Sequence, residues 1–159
     1  MGGDKSAFSD KTKADATGLR FAVITARFNR EITDQLQDAA LRTLVDAGAA
    51  ERDIAVFEVP GCFEIPIVAK RLATSGRFDA IIALGAVIRG ETPHFEYVAN
   101  EAAAGVARVA YDTGVPVSFG ILTTDTLKQA AARAGGPRGN KGAEAALTAV
   151  ELARLLKSI

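Results

Sequence analysis

The chain has 159 residues, with 19 Lys plus Arg against 19 Asp plus Glu. That length suits one domain with a real core, and the charge balance excludes the overall basic footprint of a nucleic-acid binder. No apolar run approaches the roughly 18 residues of a membrane span, the N-terminal stretch lacks the apolar centre of a secretory signal, and a single cysteine, Cys62, forms no disulfide within the chain, so the expectation is a cytoplasmic protein with neither nucleic acid nor membrane as partner.

Residues 1–18 are polar and small and read as a flexible arm ahead of one domain over 19–159. Residues 20–26 (RFAVITA) form an apolar, β-branched run, as a strand buried on both faces requires. Residues 33–47 place Leu36, Ala39, Ala40 and Leu44 at helical spacing, with Gly48 as a stop. A second strand is predicted over 54–59, ended by Pro60 and Gly61, and a helix over 64–75 with Pro66 in its first turn. Residues 80–84 (AIIAL) read as a third buried strand, 95–112 as an Ala-rich helix, and 115–122 as a fourth strand. Two helices follow, over 126–134 and 141–157, separated by the breaker Gly135-Gly136-Pro137. Strands alternating with helices imply a parallel sheet covered on both faces.

Ligands of such sheets bind outside the carboxyl ends of the strands, so the informative loops begin near Arg27, Pro60, Gly85 and Thr123. After the third strand, Thr92 and Pro93 read as a helix cap and first helical residue. The free N–H groups of such a start favour an anion such as phosphate, and His94, the one histidine, is placed beside them as a proton shuttle. A plain cap with a surface histidine fits the same spacing. Asn140 reads as the cap of the last helix, which puts Lys141 in a first turn where its charge opposes the dipole. Arg133 has the planar fork that suits phosphate. Phe28, Phe63 and Phe119 read equally as ring-stacking or packing residues, with Phe119 leaning to the core. Cys62 reads as a small buried filler. No GxSxG, Walker P-loop or helix-opening GxGxxG is present, so nothing calls for a serine nucleophile, ATP or NAD. No metal-ligand cluster stands out either.

Five segments in order resemble lumazine synthases: ARFN (26–29), VPGCFEIP (59–66), ALGAVIRGETPHFEYV (83–98), PVSFGILTTDT (116–126) and RAGGPRGNKGAEAA (133–146). The resemblance runs from about residue 19 to the end. It implies an α/β three-layer sandwich, flavodoxin-like, with a four-stranded parallel sheet and helices on both faces. It implies a cofactor-independent transferase of riboflavin biosynthesis that condenses 5-amino-6-(D-ribitylamino)uracil with 3,4-dihydroxy-2-butanone 4-phosphate. By motif, Phe28, Cys62, Phe63, Glu64, Ala86, Val87, Ile88, Phe119 and Lys141 would meet the pyrimidine, Phe119 from a neighbouring subunit. Glu91, Thr92 and Arg133 would hold the phosphate, His94 would move protons, and Glu144 would support. Cys62, Glu91 and Glu144 depart from the family's commoner residues. The resemblance also implies pentamers with sites between adjacent subunits, packed into a sixty-subunit icosahedral shell or left free, with riboflavin synthase as a shell cargo. Two other readings stay open: a riboflavin synthase of the archaeal type, and a container or flavin-binding scaffold without catalysis.

Overall fold

The structure, a computed structural model, describes residues 5–8 and 14–159. Four parallel strands form one sheet: β1 (Phe21–Ala26), β2 (Ile54–Val59), β3 (Ala80–Ile88) and β4 (Val117–Thr124), in the spatial order β2-β1-β3-β4. β1 is buried at every position, which its unbroken apolar run requires. The connecting helices are α1 (Arg30–Asp46), α2 (Ile65–Ala73), α3 (His94–Thr113), α4 (Leu127–Ala132) and α5 (Lys141–Ser158). α1 and α5 cover one face, where Leu36, Leu44 and Val150 meet Phe21, Val23, Ile82 and Leu84. α2 and α3 cover the other, where Ile65, Leu72, Val106 and Val109 meet Ala22, Ile24, Ile81 and Ala83. The chain is therefore an α/β three-layer sandwich of flavodoxin-like type. No helix among the described residues is long and apolar enough to cross a membrane.

Three differences from the sequence reading bear on the site. β3 does not stop at 84 but runs to Ile88, because β4 pairs with it as far as Ile88↔Thr124. The breaker after α4 is a small antiparallel hairpin, β5 (Ala134–Gly136) with β6 (Gly139–Asn140). The helix over 95–112 begins one residue earlier, at His94, with consequences for the site. Of the segment read as an arm, residues 1–4 and 9–13 lie outside the described residues, while residues 14–18 pack. Ala16 is buried, and Arg154 of α5 donates to the carbonyls of Asp15 and Thr17.

Asp79 joins the starts of β1 and β3 to the end of α5. Its carboxylate accepts from the Arg20 N–H at 2.8 Å and lies 3.1 Å from Lys157 Nζ. Burial pushes this carboxyl up, but the Arg20 N–H and the Lys157 charge outweigh it and hold it below the usual carboxylate range. A depressed carboxyl stabilises the fold above its unfolded pKa and loses that contribution as pH falls through the native one. Asp79→Asn is therefore expected to lower the unfolding midpoint at pH 7, at roughly 2–4 °C per kcal/mol for a chain of this size. The gap from wild type should close as pH falls through the lowered native pKa of Asp79. Thermal unfolding scanned against pH checks it; a gap that persists at the lowest pH refutes it.

Candidate functional site

A cleft of about 660 Å³ opens at the carboxyl ends of β1, β2 and β3, where the α/β rule places ligands. Phe28, Cys62, Phe63, Glu64, Ala86, Val87, Ile88, Thr92 and His94 all line it. Two of its three phenylalanines are exposed, Phe28 at 72% and Phe63 at 57%. Rings left in water beside a concave apolar wall are available for stacking on a flat ligand. No Lys or Arg is among the lining residues; Glu64 is the one carboxylate.

The floor is β3 beyond the reach of β1. The β1–β3 ladder ends at Thr25↔Leu84, four residues short of the end of β3 at Ile88. Odd residues of this stretch face β4, as the Arg89 N–H bond to the Thr124 carbonyl at 2.8 Å shows. Even residues face the side where β1 has ended. Ala86 is one of these, and both its backbone groups find partners in the loops. Its N–H donates to Cys62 Sγ, and its carbonyl accepts from Asn29 Nδ2 at 2.9 Å. Ile88 presents its peptide the same way with no strand beside it, at the cleft wall.

Cys62 sits in a 3-10 turn, Cys62–Glu64, that leads into α2. Burial pushes its thiol up to about 12, with the Glu64 charge adding to the effect and the Ala86 N–H opposing it. It holds no thiolate at neutral pH and is a packing and accepting group, not a nucleophile. A Cβ built on Gly85 would overlap its Sγ, so Gly85 is the residue that admits Cys62 against β3.

α3 opens without a side-chain cap. Pro93, not Thr92, is its N-cap residue, and the Pro93 carbonyl accepts the Glu96 N–H at 3.0 Å. A proline cannot cap with its side chain, so the first N–H groups of α3 lack a side-chain cap, an arrangement that favours an anion, and Thr92 lines the cleft beside them. His94, the first helical residue, is exposed there. Arg89 fixes the loop in between. It lies 2.8 Å from Asp125, 3.6 Å from Glu96 and 4.6 Å from the centre of the Phe95 ring. Glu91 is exposed and lines none of these clefts.

The remaining expected residues lie elsewhere. Phe119, Arg133, Lys141 and Glu144 line a second cleft of about 340 Å³, next to the end of β4. The β3–β4 ladder stands between the two. Phe119 is not a core residue: β4 is an edge strand, and the ring is 38% exposed. Asn140 caps α5 as its sequence position predicts, accepting from the N–H groups of Gly142 and Ala143 at 2.8 and 3.2 Å. Lys141 follows in the first turn, 3.4 Å from Glu144. Arg133 is steadied by a bond from its Nη1 to the Gln129 carbonyl at 2.9 Å.

Sequence reasoning passed over Arg138, which also lines the second cleft, and Tyr97, which lines the first at 70% exposure. An arginine between Arg133 and Lys141 was a readable signal of charge; nothing in the sequence marked Tyr97. The first cleft is thus apolar and the second cationic, with three positive side chains against one carboxylate. Among the described residues, no group of three or more His, Cys, Asp or Glu could hold a metal ion.

Gly85→Ala is expected to cost about 1–3 kcal/mol through forced displacement of the Cys62 thiol. Cys62→Ala in the same chain should recover part of that cost, a coupling that denaturant unfolding of the two single variants and the double variant measures. Additive effects would show that the two residues do not compete for this space.

A sequence model of 6,7-dimethyl-8-ribityllumazine synthase matches residues 18–157 of the 159. The match spans both clefts and every element that builds them, and the chain belongs to the 6,7-dimethyl-8-ribityllumazine synthase family.

Proposed function

We propose that this chain condenses 5-amino-6-(D-ribitylamino)uracil with 3,4-dihydroxy-2-butanone 4-phosphate, giving 6,7-dimethyl-8-ribityllumazine, phosphate and water. The observation that carries the proposal is the division of character between the clefts. One offers exposed rings and unpaired backbone, the other three cations. A planar pyrimidine and a phosphate ester are the two chemistries these surfaces suit. Since one protomer keeps them apart, the working site forms where the apolar cleft of one copy meets the cationic cleft of the next.

In that site Phe28 stacks on the pyrimidine, Phe119 closes over it from the neighbour, and the Cys62–Glu64 turn meets the ribityl chain. Ala86, Val87 and Ile88 form the edge facing the ring, with Ile88 supplying the backbone groups because those of Ala86 are engaged. The open start of α3, with Glu91 and Thr92, takes the phosphate, Arg133 is its charged partner, and Lys141 and Glu144 stand in support. The amine adds to the ketone carbon and water leaves to give an imine. Phosphate is then eliminated to leave an enol, the enol becomes a ketone, and the ribityl-bearing nitrogen closes the ring on that carbon as a second water leaves. The equation balances without an oxidant or reductant, so no cofactor is required. Catalysis rests on holding two reactants together, with His94 moving protons. Dismutation of two lumazines, the archaeal-type alternative, involves no phosphate and leaves the cations without a ligand.

The proposal extends to a single catalytic domain over 19–159 acting in the cytoplasm. It also extends to pentamers assembled into an icosahedral shell, with the short 135–140 turn permitting that packing and the free pentamer as the smaller state. Incubating the protein with both substrates should generate lumazine absorbance and fluorescence; their absence refutes the function. His94→Ala should slow turnover by up to about 10²-fold and leave a residue of activity, since positioning survives. Arg133→Gln should raise KM for the phosphate substrate alone. Light scattering of the eluting protein reads the assembly, and a stable monomer would contradict the shared site.

A further inference from the structure

Asn29 breaks two local rules at once. It is the one non-glycine residue with positive φ among the described residues, at φ 63° and ψ 47°. It also occupies the N-cap position of α1, where Asn is among the preferred residues, yet makes no side-chain cap bond. Its amide instead reaches across 57 positions of sequence to the Ala86 carbonyl. A residue that accepts backbone strain and forgoes its local bond does so because something else holds it there.

What it holds is the placement of Phe28. That ring is largely exposed, so side-chain packing does not fix it and the backbone must. On the β2 side the loop is tied by two bonds, Arg27 N–H to the Val59 carbonyl at 2.8 Å and Phe28 N–H to the Pro60 carbonyl at 3.1 Å. On the β3 side, where the β1–β3 ladder has already ended, the Asn29 amide continues it with a side chain in place of a peptide. The Phe28 wall and the β3 floor are thereby held at a set separation.

We infer that Asn29 is a positioning residue that sets the width of the slot between Phe28 and the end of β3, and so the affinity for the aromatic substrate. The naming of that substrate rests on the proposed function; the tether itself does not. Only asparagine meets both demands. Glycine accepts the left-handed backbone but has no donor, and aspartate accepts it but turns an oxygen toward the Ala86 carbonyl. Alanine fails both.

These chemistries give an order that strain alone does not. With the tether, Asn29→Asp is the most harmful of the two φ-tolerant variants and Asn29→Gly the milder. KM for the aminopyrimidine should rise roughly tenfold in the aspartate variant and less in the glycine variant. KM for the phosphate substrate and kcat should stay within about twofold. Aspartate constants equal to wild type, or a parallel rise in KM for both substrates, overturn the inference. Hydrogen–deuterium exchange supplies the arm that does not depend on the reaction. Peptides covering 26–32 and 84–89 should exchange faster in both variants, with the rest of the chain unchanged and the melting temperature near wild type. Unchanged exchange in both segments overturns the tether. A wild-type protein that yields no lumazine, with exchange responding as stated, defeats the proposed function and leaves the tether standing.

Discussion

The site depends on one mismatch of length: β3 outruns β1 by four residues, 85–88. Backbone left unpaired at the buried edge of a sheet is costly, and a sheet normally avoids it. Here the loops after β1 and β2 supply the missing partners. Asn29 takes the Ala86 carbonyl and Cys62 takes its N–H. That repair draws both loops onto the same peptide, and it is why Phe28 and Phe63, which follow those strands, stand on a common cleft. One step further, at Ile88, the repair stops and the cleft begins.

Much of the architecture was legible because burial on both faces leaves a strong mark. The apolar runs of β1 and β3 and the helical spacing of α1 needed no context. Asn140 was readable as a cap because its role is local. The misreadings share the opposite property. Gly85 looked like the end of a strand, but it is a glycine because Cys62, 23 positions earlier in the sequence, fills the place of its side chain. Asn29 carried no local signal of its role, because its partner is on another strand. Phe119 resembled a core residue because the sequence does not say which strand lies at an edge. The expected site lay between adjacent subunits, and within one copy the β3–β4 ladder divides its residues.

The division also organises the electrostatics. The chain carries no net formal charge, but its cations are not evenly spread. Arg133, Arg138 and Lys141 come from the end of α4, the hairpin turn and the first turn of α5. The hairpin folds the seven intervening positions back so that the Lys141 N–H meets the Arg133 carbonyl at 2.8 Å. α5 then packs so closely on α1 that a Cβ on Gly142 would overlap the Leu36 carbonyl. The cationic cleft is closely packed at its root, while its aromatic counterpart is lined by exposed rings on a tethered backbone.

Gathering like charges within a few residues is work done against repulsion, and the chain performs it while folding. An anion that settles there returns part of that work, and it does so only in the native state. Occupancy and conformational stability would therefore be thermodynamically linked: an inorganic anion bound in this cleft would act as a component of the fold.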